Sequence, residues 1–255
     1  MTKVRFTLLS ALIIYIGIGT YLYVNQKSFL YHPTAKIITP YKQWIMENDG
    51  EKINIIVLNE GHSNAILYFG GNAESMAESA DYIAKQFPKF TVYLMDYRGY
   101  GFSTGVSSEA TLYRDALKMY DSVKEKHARI SLGGRSLGTA VASYVAAYRE
   151  VSKLALITPF DSIVNVAQGR YPIYPVDLLL HDKFDSKSRV HLIKAKTFIV
   201  IAENDEVIPL KRTEALIEAF PKSQVQVDTI KNRGHSDISS DARYYKIMQD
   251  FIGEG

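Results

Sequence analysis

Ser136 sits in Gly134-Arg135-Ser136-Leu137-Gly138, a G-x-S-x-G pattern between an apolar run at 129–132 and an Ala- and Val-rich run at 136–149. A serine hydroxyl is a weak nucleophile. It attacks a carbonyl only when a neighbouring base takes its proton and N–H donors hold the resulting oxyanion. The pattern supplies a geometry for this. A tight strand-to-helix turn forces strained dihedrals on the serine, and glycines two positions to either side let strand and helix approach. The hydroxyl then stands at a helix N-terminus, where the Leu137 N–H can serve an oxyanion. Taken alone, the same five residues also describe a glycine-rich helix start with Ser136 as its N-cap.

A base and an acid decide between these readings. Residues 197–202 form an apolar strand pattern, and Glu203-Asn-Asp-Glu-Val-Ile-Pro209 is the loop leaving it. In an open α/β sheet, ligands and reactive groups collect at the strands' carboxyl ends. Asp205 is the best-placed acid there, ahead of Glu203 and Glu206. Residues 225–230 form another strand, followed by Lys231-Asn-Arg-Gly-His235-Ser-Asp, so His235 occupies an equivalent loop. The chain order is therefore Ser136, Asp205, His235, an order that serine hydrolases of one large fold share. Asp161, after the strand at 153–158, is the rival acid, whereas Asp237 lies too near His235 to face its ring. His32, His62, His127, His181 and His191 read as surface or packing residues. A second oxyanion donor belongs between the strand at 65–69 and the helix at 74–87, where Gly70-Gly71-Asn72-Ala73 offers the Asn72 N–H. In Asp96-Tyr-Arg-Gly-Tyr-Gly-Phe-Ser103, Asp96 and Arg98 read as an ion pair that fastens a loop.

The elements that must position these residues follow from periodicity. Strand patterns at 42–47, 53–58, 65–69, 90–95, 129–132, 153–158, 197–202 and 225–230 alternate with helical patterns at 74–87, 108–126, 136–149, 211–220 and 241–252. Asn48-Asp49-Gly50 marks a hairpin. The alternation predicts an α/β fold with a mostly parallel sheet between helices. The 255 residues, 47% apolar and 22% charged, suit one such globular domain with an appendage. A net charge of +3 and the lack of aromatic-interleaved basic clusters argue against nucleic acid as a partner. The chain has no cysteine, which removes thiol catalysis and disulfides, and no histidine pair at metal-ligand spacing, so neither metal nor cofactor is expected.

Residues 6–24 carry no charge, and a helix of that length spans roughly the ~30 Å hydrocarbon core of a bilayer. The run is too long for a signal peptide and no A-x-A site follows it. Residues 1–25 are thus expected to be an uncleaved membrane anchor, 26–40 a linker, and 41–255 the folded domain. Lys3 and Arg5 before the helix against Lys27 after it favour the domain on the non-cytoplasmic side. No motif draws on a side chain of the anchor, so it reads as a passive tether.

Together, G-G-N-A-E, D-Y-R-G-Y-G-x-S, G-R-S-L-G, E-N-D-E-V-I-P and G-H-S-D occur in order over roughly residues 28–252. The chain resembles the membrane-anchored α/β-hydrolases grouped with the bud-emergence protein of yeasts and the mammalian depalmitoylating hydrolase-domain enzymes. The resemblance implies an eight-stranded sheet with an antiparallel second strand, and it places nucleophile, acid and base on Ser136, Asp205 and His235. Those relatives usually have His-Gly-Asn-Ala where this chain has Gly70-Gly71-Asn72-Ala73. The expected activity is hydrolysis of acyl esters or thioesters on lipids or acylated proteins, with the membrane as the one further partner. The alternatives are an idle hydrolase fold acting as an interaction module, and a peptidase. Residues 160–195, between the strands at 153–158 and 197–202, are too few for the gating domain a peptidase of this fold usually carries; Tyr171-Pro-Ile-Tyr-Pro-Val-Asp-Leu-Leu-Leu180 within them reads equally as acyl groove or packed helix.

Overall fold

The computed structural model describes residues 2–253. An eight-stranded sheet forms its centre, from β1 (Lys42–Asn48), β2 (Glu51–Leu58), β3 (Asn64–Phe69), β4 (Thr91–Met95), β5 (Arg129–Arg135), β6 (Lys153–Ile157), β7 (Lys196–Ala202) and β8 (Val225–Ile230). The strand order is β1-β2-β4-β3-β5-β6-β7-β8. Pairing is antiparallel at β1–β2 and β2–β4 and parallel from β4 to β8. The helices are α1 (Thr2–Leu30), α2 (Met76–Gln86), α3 (Glu109–Val123), α4 (Leu137–Tyr148), α5 (Ile163–Arg170), α6 (Val176–Leu179), α7 (Leu210–Ile217) and α8 (Ala242–Gly253).

Period-two alternation sorts the strands' side chains to the two faces. On β2, Ile53, Ile55 and Val57 join the core shared with α3, α4 and α7. Ile56 and Leu58 join the opposite core, shared with α2 and α8. The β1–β2 turn places Asp49 and Gly50 at φ 50° and 77°, as a tight hairpin of right-handed twist requires. β5 runs on through Gly133 and Gly134, beyond the 129–132 expected from its apolar residues, because neighbouring groups already fill the space a side chain would take. A Cβ at Gly133 would meet the Tyr68 ring at 3.0 Å.

Expectations change at two points, the end of the N-terminal helix and the Asp96–Arg98 pair. The helix of the apolar N-terminal segment continues to Leu30, so 26–30, read as linker, is helical. Residues 160–195 hold two short helices, α5 and α6, and a 3₁₀ segment at Lys187–Leu192. Asp96 and Arg98 do not pair with each other. Arg98 reaches back to buried Asp115 on α3 at 2.8 Å, and Asp96 accepts from the Asn54 amide at 2.8 Å. Both still fasten the loop after β4, through different partners. Burial raises the Asp96 pKa against the lowering effect of its hydrogen bonds from Asn54 and the Phe102 backbone.

Candidate active site

The turn between β5 and α4 holds Ser136 at φ 50°, ψ −118°, the strained conformation that the pattern anticipates. Ser136 occupies the N-cap position of α4, but its side chain makes no capping bond and is directed to His235 instead. Its glycines are obligatory. A Cβ at Gly138 would lie 1.9 Å from the Phe69 carbonyl oxygen, and one at Gly134 would lie 2.4 Å from that of Gly138. The Ser136 N–H donates to the Ile157 carbonyl at 2.9 Å, fixing the turn to the end of β6.

The loops after β7 and β8 bring the other two residues to this turn. His235 Nε2 is 2.9 Å from Ser136 Oγ. On the far side of the ring, Nδ1 is 2.9 and 3.0 Å from the two Asp205 carboxylate oxygens. Asp205 is itself held, accepting from the Val207 and Ile208 N–H groups at 2.9 and 2.7 Å. Both side chains are largely shielded from water. Asp161, the rival acid, is committed elsewhere. It accepts from the Ser162 N–H, the Asn165 amide and Arg212. Asp237 turns away to the Gly234 N–H and Arg233, whose bonds hold its pKa below the ordinary value.

Charged residues that the motifs leave unassigned brace these loops. Glu206 accepts the His235 N–H at 3.0 Å, and Glu203 accepts the Asn232 N–H at 2.8 Å. Arg135, the variable residue of G-x-S-x-G, donates to the His235 and Ser236 carbonyls at 3.1 and 3.2 Å. It also lies 3.8 Å from Glu74. Burial opposes the Arg135 charge, but Glu74 and the tyrosines around it outweigh that and raise its pKa. Glu74 in turn accepts from the Gly71 N–H at 2.9 Å and from the Tyr68 hydroxyl at 3.2 Å. Burial, reinforced by the Glu74 charge, raises the Tyr68 pKa and keeps that hydroxyl a donor. Arg135 and Glu74 thus link the serine turn, the histidine loop and the loop after β3. Their signal in the sequence was a charge set among glycines at a strand's end.

The loop after β3 lies against the serine: a Cβ at Gly71 would be 3.7 Å from Ser136 Cβ. As the first residue of α4, Leu137 has no intrahelical acceptor for its N–H. Among the described residues, no acceptor takes the Asn72 N–H either. Asn72 is also tied to the N-terminal helix. Its amide donates to the Leu30 carbonyl at 3.2 Å, while its carbonyl accepts from the His32 N–H at 3.1 Å and the Tyr100 hydroxyl at 2.7 Å. At Gly70, histidine in the resembled relatives, a side chain would require Met76 to move, since Met76 Cε lies 2.4 Å from where a Cβ would be.

Ser136, Leu137 and Asn72 open on a cavity of about 440 Å³, within the size range of small-ligand sites. Most of its other lining comes from α1, α5 and α6, with Phe160, Val207 and Ile208 from the loops after β6 and β7, and it is mainly apolar. This corrects the reading of the N-terminal helix as a passive tether: Gly19, Leu22, Gln26 and Phe29 of α1 line the same cavity as Ser136. α1 is fastened there by Tyr15 stacked on Tyr174 (4.7 Å between centroids) and by Tyr23 against His181 (3.1 Å). Among the described residues, no three His, Asp or Glu side chains come together as a metal would require.

Comparisons with known proteins agree with this architecture. The family model described as serine aminopeptidase, S33, matches residues 62–174. An uncharacterized protein of Mycobacterium tuberculosis is 29% identical over 239 residues, covering 87% of this chain and 84% of that one. The α/β hydrolase domain-containing protein aho-3 of Caenorhabditis elegans is 28% identical over 193 residues, covering 73% and 57%. Among solved structures, the Pyrococcus furiosus esterase Pf2001 superposes with a TM-score of 0.68 at 18% identity, covering 88% of this chain and 98% of that one. The chain has the α/β-hydrolase fold, and it is similar in sequence to a protein that carries that domain name.

Proposed function

We propose that the protein is a membrane-anchored serine hydrolase that cleaves acyl esters or thioesters, with Ser136 as nucleophile, His235 as base and Asp205 as its orienting acid. The observation that carries this reading is the unbroken chain of contacts from Asp205 through His235 to the strained Ser136. His235 Nε2 takes the Ser136 proton as Oγ attacks the acyl carbon. Asp205, on Nδ1, keeps the neutral ring in the tautomer that leaves Nε2 free, and it stabilises the imidazolium that forms. The oxyanion is held by the Leu137 and Asn72 N–H groups, assisted by the N-terminus of α4. The imidazolium then gives its proton to the leaving alcohol or thiol. Water, deprotonated by the same histidine, next releases the acid from Ser136.

The apolar cavity favours an acyl chain over an amino-terminal peptide. An α-ammonium brought into such a site needs a carboxylate partner, and none of the lining residues is Asp or Glu. A catalytically idle scaffold would gain nothing from a serine held at a costly φ. α1, uncharged from residue 6 to residue 26 and with its most apolar stretch bare of protein cover, is the proposed anchor. The basic residues before it favour the folded domain on the non-cytoplasmic side. The sequence motifs fit the group containing the yeast bud-emergence protein and the mammalian depalmitoylating enzymes, and that placement is part of the proposal.

The test is an active-site fluorophosphonate. It should label the wild type and leave Ser136→Ala unlabelled, with hydrolysis of a nitrophenyl ester falling by about 10⁶-fold in that variant. Near-normal turnover in folded Ser136→Ala would remove Ser136 as nucleophile.

A further inference from the structure

The walls of the cavity and the surface beside it imply where its ligand comes from. α1 has 29 residues and is about 43 Å long, whereas the hydrocarbon layer takes about 20 residues. A span that begins beside Arg5 therefore ends near Val24, and it includes Gly19 and Leu22, two residues that line the cavity of Ser136. Leu30, whose carbonyl is tied to Asn72, lies about 9 Å beyond Val24 along the axis, on the water side. One stripe of a single helix thus runs from the hydrocarbon layer to the loop beside the nucleophile. Gly19, Leu22, Gln26 and Phe29 recur on that stripe at helical spacing.

The segment packed against α1 continues the same surface. The Ile173 carbonyl accepts from Tyr15, and Gln26 donates to the Leu179 carbonyl, so residues 173–179 lie level with the outer half of the span. Within that segment Ile173 is 69% and Leu178 81% exposed. Large apolar side chains bared next to an uncovered apolar helix form a face suited to lipid. The close packing depends on Gly19: a Cβ there would come 2.9 Å from the Tyr174 ring.

We propose that α1 is a wall of the substrate pocket as well as an anchor. The acyl chain of an ester dissolved in the bilayer enters from the lipid side and lies along α1, with its far end against Gly19 and Leu22. Chain length is then read by the membrane helix itself, and Leu22 is a specificity-determining residue. This rests on Ser136 being the hydrolytic nucleophile.

Full-length protein in phosphatidylcholine vesicles tests it with nitrophenyl butyrate and nitrophenyl palmitate. Leu22→Trp, which fills the inner wall, should lower the palmitate-to-butyrate ratio of kcat/KM by about tenfold or more. Val24→Trp, on the exposed face of α1, should leave that ratio as in the wild type. An unchanged ratio in Leu22→Trp overturns the proposal while the hydrolase reading stands. A second measurement needs no variant. A fluorophosphonate bearing a long alkyl chain with a terminal diazirine is attached to wild-type Ser136 and irradiated. Crosslinks should fall on α1 around residues 19–22; crosslinks confined to α7 or α8 would overturn the proposal. Absence of both labelling and ester turnover in the wild type sinks the hydrolase reading, and this one with it.

Discussion

The polar end of the cavity is closed by loops leaving β3, β5, β7 and β8, whose positions are set by parallel strand pairing and by interlocking hydrogen bonds. Ser136 is fixed by its own N–H to Ile157, His235 by Glu206 and Arg135, and Asp205 by two backbone donors. The apolar end is made by α1, α5 and α6, held by ring stacking and by single hydrogen bonds such as Tyr15 to the Ile173 carbonyl. Directional bonds fix atoms within tenths of an ångström, whereas apolar contacts are tolerant of shape and exchange partners at small cost. The polar end should therefore fail steeply when one group is changed, and the apolar end gradually.

Asp205→Asn tests the steep side most sharply. An amide at that position favours the wrong imidazole tautomer, so kcat should fall by roughly 10³–10⁴ with the fold intact. Asp161→Asn removes a buried partner of Arg212 and should show mainly as a lower melting temperature. Measuring kcat and thermal unfolding for both variants separates the roles. A larger kcat loss in Asp161→Asn would transfer the acid to the loop after β6.

Arg135→Met comes next. The substitution keeps much of the aliphatic stem but removes the donors to His235 and Ser236 and the charge opposite Glu74. Arg135 touches no reacting atom, so it acts by positioning. Misplacement of the histidine loop should cost up to about 10²-fold in kcat, with KM little changed. Glu74→Gln, which keeps an acceptor for the Gly71 N–H, should recover most of the wild-type rate. A KM effect without a kcat effect in Arg135→Met would contradict the positioning role.

The contrast between the two ends also explains what could be read from the sequence. The strands announce themselves through apolar runs, and the loops leaving them carry residues whose chemistry is tied to fixed spacing. Gly134 and Gly138 have to be glycine because carbonyl oxygens stand where a Cβ would go. Such hard steric limits leave short patterns in the chain. Strand β5 extends past its apolar run because at Gly133 and Gly134 the space of a side chain is filled by neighbouring groups. The Asp96–Arg98 pairing failed since nearness in sequence says little about partners 17 residues away, such as Asp115. The pocket wall in α1 left no comparable trace. A lipid-facing helix and a helix facing an apolar cavity require the same residue types, so residues 6–24 read as anchor and nothing more. The second role shows only in the fold, where Gly19 and Leu22 line the cavity and Gly19 packs on Tyr174, 155 residues further on.

The smallest expected effect lies in that wall and gives the contrast its finest test. Tyr174 is buried, its ring stacks on Tyr15 at an interplanar angle of 13°, and its hydroxyl donates to the Tyr15 carbonyl at 3.0 Å. Tyr174→Phe keeps the ring, and with it the stack and the contact at Gly19, while removing that one hydrogen bond. A neutral hydrogen bond contributes about 1 kcal/mol net, so the docking of α1 should weaken by less than tenfold. The Tyr15 carbonyl, inside a helix, retains its backbone donor and is not left unsatisfied. A long-chain ester should accordingly show a KM raised a few-fold at unchanged kcat, and a short ester a smaller change still. Tyr174→Ala also removes the ring and should raise the long-chain KM further. If instead Tyr174→Phe lowers kcat as much as Arg135→Met does, α1 positions the reacting groups through its tie to Asn72, and the two ends of the cavity are mechanically one.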